Sequence, residues 1–160
     1  MTESERFISQ IENSKQSLYK VARSFFREEA DAEDAISQTV LDAWEKRSTL
    51  KNPFYFKTWL IRILINNCKD MLRSRERLVC TEEIPETAAE DPDPGNLNFG
   101  SLMELLDERT RPVMTLYYAE GYKTSEIAKL LHMPRGTVTS CLKRGREKLT
   151  AALAEREGEF

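Results

Sequence analysis

Cysteine and histidine are scarce in this chain, and their scarcity removes whole classes of chemistry. The three cysteines, Cys68, Cys80 and Cys141, lie far apart and are odd in number; no Cys-x-x-Cys pair occurs, and His132 is the sole histidine. That pattern argues against a disulfide framework and a metal site, and it fits a reducing cytoplasm. No metal and no other cofactor is expected. Long apolar runs are missing too: nowhere do 18 apolar residues follow one another, so no direct membrane insertion is expected. The opening MTESERFISQIENSKQ is acidic and polar without an apolar centre, so it does not read as a secretion signal. No strand-like alternation appears anywhere. Nor does a nucleophile–base pair, a phosphate-binding loop or a metal-ligand spacing, so no catalytic residue, no small-molecule substrate and no enzymatic activity are expected.

What remains is a globular, helix-patterned chain of 160 residues, 40% hydrophobic and 32% charged, long enough for one domain or two small ones. Its net charge of −3 hides a segregation. Residues 1–47 carry a net −3, 48–77 a net +5, 78–110 a net −8 and 111–160 a net +3. Two positive blocks separated by a strongly negative one form a pattern that a DNA phosphate array would feel, whatever the total.

Residues 122–149, YKTSEIAKLLHMPRGTVTSCLKRGREKL, read as two short helices across a tight turn. In the first, Ile127, Leu130 and Leu131 fall at helical spacing, Thr124 is the expected N-cap and Glu126 lies in the first turn. The turn is His132–Met133, and Pro134 starts the second helix. Val138, Leu142 and Leu149 give that helix an apolar stripe. Its other faces show Arg135, Thr137, Thr139, Ser140, Lys143, Arg144, Arg146 and Lys148. A helix that enters a phosphate-lined groove must be cationic outside, and Arg, Lys, Ser and Thr are base-edge readers, so this is the expected DNA-binding face of a helix-turn-helix.

Upstream, periodicity predicts a short helix over 4–13, with Phe7, Ile8 and Ile11 on one side, and a second over 15–28, with Leu18, Val21, Ala22, Phe25 and Phe26 inward. A third covers 31–47, with Asp31 as N-cap and Ile36, Val40, Ala43 and Trp44 inward. Outward it shows an acidic, hydrogen-bonding stripe, Asp34, Gln38 and Asp42, spaced by four. Asn52–Pro53 marks a loop. A long basic helix follows over about 57–77, with Leu60, Ile63, Leu64, Cys68, Met71 and Leu72 as core and Asn66–Asn67 in its middle, where asparagine is a poor helix former. Residues 80–100 hold Pro85, Pro92, Pro94, Gly95 and many acids, and read as a solvated acidic linker. Helix resumes over 101–120, restarting near Pro112 and ending at Gly121, and the tail after Ala154 is expected to fray.

The order of these parts resembles the extracytoplasmic-function (ECF) sigma factors, the minimal branch of the sigma-70 family. DAEDAISQTVLDAW (31–44), FKTWLIRILINNCKDMLR (56–73) and the 105–149 stretch carry the resemblance, which spans 5–153. It implies an all-α chain of two small helical domains joined by an acidic linker: region 2 over 1–78, the linker over 79–100, and region 4 over 101–160. It implies core RNA polymerase, promoter DNA and a membrane-anchored anti-sigma factor as partners. The protein would then be cytoplasmic, at the nucleoid or held at the inner membrane face. Asp34, Gln38 and Asp42 would dock on polymerase. Asn52, Phe54, Tyr55, Lys57, Arg62, Asn66, Lys69 and Arg73 would open and hold the −10 element, since an unstacked base needs aromatic and amide groups and its backbone needs cations. Phe56 and Trp59 read as core. The recognition helix would take the −35 element. Gly136, Thr137, Val138 and Ser140 fit the family's pattern there, whereas Thr139 and Cys141 stand where cations are common. Contact would then fall on Arg135, Lys143, Arg144 and Arg146. A half-buried structural thiol is expected at Cys141. Two other readings are a helix-turn-helix regulator that works without polymerase, which would not need the acidic stripe, and a sigma-like decoy for an anti-sigma factor, which would not need the recognition-helix cations.

Overall fold

The computed structural model describes residues 1–79 and 98–157. All regular structure among them is helical. The chain divides into two compact units, Met1–Glu86 and Thr87–Phe160. The predicted acidic linker falls almost wholly outside the described residues, as does Cys80.

In the first unit, α1 (Glu3–Phe25), α2 (Glu29–Glu45) and α3 (Phe56–Val79) pack against one another as a three-helix bundle. The two short helices expected over 4–13 and 15–28 are one. Asn and Ser weaken a helix interior by only a few tenths of a kcal/mol, and the apolar stripe runs on through them. Phe7, Ser14, Leu18 and Val21 are buried, with Ile11 and Phe25 half-buried, at successive steps of three or four. Thr2 caps the start, its hydroxyl accepting from the Glu5 N–H at 3.2 Å. Ile8, expected inside, is 59% exposed.

α2 begins earlier than expected. Glu28 is its N-cap position, and Asp31 lies in the first turn, where its carboxylate pairs with both terminal nitrogens of Arg75 on α3. The helix is also rotated from the expected face. Ala32, Ala35, Thr39 and Ala43 are fully buried, and Ile36 and Val40 only half. These small side chains let the neighbouring helices approach closely. α3 is the centre of the unit: Leu60, Ile61, Leu64, Ile65 and Cys68 are all fully buried. Each fully buried Leu or Ile is worth about 1.5–3 kcal/mol. Met71 and Leu72 are half-buried. Burial pushes the Cys68 thiol up to about 12, so it stays protonated and inert at neutral pH.

The second unit holds α4 (Phe99–Met103), α5 (Thr110–Met114) with a π turn over Thr115–Ala119, α6 (Thr124–Leu131) and α7 (Arg135–Glu157). α5 and α6 both pack on α7. Asn98 caps α4, accepting from the Ser101 N–H at 2.8 Å. The Asp107 carboxylate accepts from the Thr110 N–H at 2.7 Å, which starts α5 two residues before Pro112. Gly121 has φ +75°, so the residue that ends this segment needs the left-handed region. The core is Met103, Leu106, Val113, Met114, Leu116, Ile127, Leu130, Leu131, Val138, Cys141 and Leu142. Arg111 is buried among them, with Nε donating to the Met103 carbonyl at 3.2 Å and Nη2 to the Leu106 carbonyl at 3.0 Å.

Candidate nucleic-acid interface

The helix-turn-helix is built as the pattern required, with two local changes. Thr124 is the first helical residue rather than the N-cap; Lys123 takes the cap position, and Glu126 reaches back to accept from its N–H at 3.1 Å. Pro134 likewise stands one place before α7, its carbonyl accepting from the N–H groups of Thr137 and Val138. Between them His132 sits at φ 54°, ψ 46°, the left-handed conformation that the tight turn needs and that histidine tolerates better than most residues. α7 continues beyond Ala154 to Glu157.

Burial sorts the side chains of α7. Val138, Cys141, Leu142 and Gly145 face the core, and Leu149 is half-buried. Cys141 is fully buried rather than half-buried, so it occupies no DNA-facing position. A Cβ at Gly145 would lie 2.7 Å from Met114 Sδ, so a larger residue there would force that buried side chain to shift. Gly136, Ser140, Lys143 and Glu147 are exposed and follow one another at helical spacing along the outward stripe. Arg135, Thr139 and Arg146 lie on one flank, and the Thr139 hydroxyl donates to the Arg135 carbonyl at 3.1 Å. Half-buried Thr137 shares the other flank with Arg144 and Lys148, both exposed. Arg144 donates to Cys141 Sγ at 3.6 Å. Hydrogen bonding from Thr110 holds the Asp107 carboxyl below its ordinary value, and Arg144 and Lys148 add to that effect. The predicted residues thus form one exposed face, but their cations are split among its centre and two flanks.

In the first unit, contacts at Arg47 and Thr49 hold the start of the connection between α2 and α3. Arg47 stacks 4.0 Å over the Trp44 ring and donates to Glu3 at 3.0 Å. Trp59 Nε1 donates to the Thr49 hydroxyl at 3.1 Å. Phe7 meets Trp44 and Phe56 edge-on, and Phe56 meets Trp59 at a tilt, with 5.1–6.1 Å between ring centroids. Phe56 is core, as read from the sequence, and Trp59 is half-buried. Asn52 accepts from the Phe54 N–H at 3.0 Å and so caps a single 3-10 turn, Pro53–Tyr55. That turn holds Phe54 88% exposed and Tyr55 60% exposed. Two aromatic rings therefore face outward on this turn.

Arg62, Asn66, Lys69 and Arg73 follow at steps of four, three and four, and so share one stripe of α3. Lys69 is half-buried, and its ammonium titrates below the ordinary lysine range, first through desolvation and then through the nearby Arg73. Arg73 also meets Asp70 at 3.6 Å. Lys57 is exposed but does not join the stripe, since it stands five positions before Arg62 and so about 140° round the helix from it. The neighbouring asparagines have different tasks. Asn66 is exposed, whereas Asn67 donates to the Thr39 hydroxyl at 3.1 Å and to Asp42 at 3.0 Å, tying α3 to α2.

The acidic stripe of α2 is altered by that tie. Asp34 and Gln38 are exposed, but Asp42 is half-buried and accepts from both Asn67 and Gln38, the latter at 2.9 Å. Leu41 takes the outward place beside them, 62% exposed. Its position was readable from the spacing 34, 38, 41, 45, but a leucine there reads as core until the helix rotation is known.

Comparisons place this architecture. The family model described as Sigma-70 region 2 matches residues 11–78, and that described as Sigma-70, region 4 matches 97–149. The probable RNA polymerase sigma factor RfaY of Xanthomonas campestris pv. campestris is 28% identical over 88% of this chain and 38% of its own length. RNA polymerase sigma factor SigV of Bacillus subtilis is 26% identical over 92% of this chain and 90% of its own. The chain therefore spans well under half of the first relative and nearly all of the second. Among solved structures, the sigma factor RpoE in its complex with the anti-sigma factor NepR from Bartonella quintana matches with a TM-score of 0.76 and 24% identity, over 94% of this chain and 98% of that one. Two region models in their family order, on a fold built around an exposed aromatic turn and a helix-turn-helix, assign the chain: it belongs to the sigma-70 family, as a sigma factor of the extracytoplasmic-function type.

Proposed function

We propose that this chain is a promoter-specificity subunit of bacterial RNA polymerase, directing core enzyme to −10/−35 promoters under the control of an anti-sigma factor. One observation carries the detailed reading: Phe54 and Tyr55 form an outward-facing aromatic platform on the Asn52-capped turn that leads into α3 at the buried Phe56. Such a platform captures unstacked bases, and the Arg62–Asn66–Lys69–Arg73 stripe beside it supplies cations for a single strand. The reading assigns region 2 to 1–78, a linker to 79–100 and region 4 to 101–160, whose α7 takes the −35 element. As a sigma factor the chain is a regulatory subunit, and the polymerisation chemistry belongs to the core enzyme. No helix among the described residues is long and apolar enough to cross a membrane. The proposed site of action is the cytoplasm, at the nucleoid or at the inner membrane face when an anchored anti-sigma factor holds the chain there.

Docking on polymerase is assigned to Asp34, Gln38 and Leu41. An apolar centre with a polar, acidic rim is the common anatomy of an interface hot spot. Asp42 serves it indirectly, by orienting Gln38 and joining α2 to α3. Replacing Asp34→Arg and Gln38→Arg together is expected to weaken core binding by about 2 kcal/mol or more, roughly 30-fold, with helical circular dichroism unchanged. Labelled protein titrated with core enzyme reads the affinity. An affinity equal to wild type would move the docking face off this side of α2.

A further inference from the structure

Arg146 differs from the ion-paired arginines of this protein. Arg75 pairs with Asp31, Arg47 with Glu3 and Arg73 with Asp70, so each has its charge offset by a carboxylate. The Nε of Arg146 instead donates to the Tyr118 hydroxyl at 2.6 Å. Its guanidinium lies 5.8 Å and 5.9 Å from the centroids of the Tyr117 and Tyr118 rings, which themselves meet edge-on at 4.9 Å. All of these partners are neutral. The arginine is fixed in place, yet its positive charge is kept, and the two Nη groups at the end of the fork still carry donors.

The backbone is specialised to present this pair. Tyr117 and Tyr118 lie in the π turn Thr115–Ala119, where the Glu120 N–H reaches five residues back to the Thr115 carbonyl at 3.2 Å. A π turn takes up one more residue than an α turn and recurs at functional sites. Tyr118 is 50% exposed and Arg146 is exposed, so the latch fills no core. Arg146 shares its flank with Arg135 and Thr139, beside the outward stripe rather than on it. It also stands eleven residues past the start of α7, roughly 16 Å along the axis. The residues that reach base edges are those at the start of a recognition helix, so a cation this far along the flank meets the wall of the groove.

We propose that Tyr118 is a positioning residue for DNA binding: its hydroxyl holds Arg146 ready for one backbone phosphate at the edge of the −35 element. This rests on the −35 reading of α7 and adds to it a division of labour, with Arg135, Ser140 and Lys143 toward the groove floor and Arg146 on the backbone. An arginine loses several rotatable bonds of freedom on binding; fixing it beforehand reduces that loss.

The test uses the full chain assembled with core polymerase on promoter duplexes in which single phosphates of the −35 region are replaced, one at a time, by neutral methylphosphonates. The wild type is expected to lose affinity at several positions. Arg146→Gln is expected to become insensitive at one of them only, and to lower the salt slope of binding by about one. Tyr118→Phe keeps both the ring and the charge. It is expected to bind roughly 2- to 10-fold more weakly and to show a reduced response at that same phosphate, with an unchanged melting temperature. A Tyr118→Phe profile equal to wild type at every position would overturn the inference, as would weakening spread evenly over all phosphates, which marks a purely structural latch. A wild type indifferent to every −35 phosphate would instead overturn the −35 reading itself.

Discussion

Removing the two exposed rings, Phe54→Ala with Tyr55→Ala, is expected to abolish strand opening on duplex promoters while leaving the protein folded and bound to core enzyme. Neither ring is part of a core: Phe54 is 88% exposed and Tyr55 60%, and their mutual edge contact at 5.8 Å is the one ring contact they make among the described residues. Their truncation therefore removes no packing beneath the turn, where Phe56, Trp59 and Trp44 remain. What is lost is the surface proposed to hold an unstacked base. Base stacking on an aromatic side chain is worth about 1–3 kcal/mol, roughly 5- to 150-fold for each base captured. Permanganate footprinting of the −10 region reads the opening directly. A template with a pre-melted −10 bubble should restore most transcription, because the rings contribute most where the duplex must be broken. Equal loss on duplex and bubble would place their role in docking instead.

Arg111→Ala is expected to cost region 4 about 2–4 kcal/mol of stability. The Arg111 side chain is buried at 4% exposure, and it donates to the carbonyls of Met103 and Leu106. The Met103 carbonyl, at the end of α4, also accepts from the Leu106 N–H at 3.1 Å, and the Leu106 carbonyl lies in the turn that follows. Taking the fork away removes one donor from each carbonyl and opens space in the core. At roughly 0.05–0.15 kcal/mol per residue, a unit spanning 98–157 holds only a few kcal/mol in all. The substitution should therefore leave α5, α6 and α7 largely unprotected in hydrogen exchange, with −35 binding lost as a consequence. Arg111→Lys keeps the charge but places a single ammonium where a planar fork is needed, and should fall between. Wild-type protection in the alanine variant would show that these carbonyls are satisfied without the fork.

The contrast between Arg111 and Phe56 shows what was legible in the sequence. Apolar residues at helical spacing reveal a helix and its inner face, so α3, α6 and α7 were readable, and with them the turn at His132. The reading failed where two distant segments decide a side chain's place. Asn66 and Asn67 were alike in the sequence as mid-helix asparagines, until α2 brought Thr39 and Asp42 to the second. Asp31 looked like a helix cap until Arg75 reached it from 44 residues away. α2 was misrotated because its buried face is alanine and threonine, which carry little hydrophobic signal, while Leu41 points outward. Arg111 and Arg146 are alike in composition, yet one is core and the other surface, and no local pattern separates them. The broad outlines of the two surfaces came from charge blocks and spacing; their proposed division into base-reading, phosphate and docking groups rests on tertiary contacts.

The most direct measurement of the central claim is transcription from fragmented genomic DNA by purified core polymerase, with and without this protein, read by sequencing the 5′ ends of the RNA. The account predicts a discrete set of starts that appear only with the protein, each preceded by a shared pair of short −35 and −10 elements. A set of starts identical to that of core enzyme alone would contradict it.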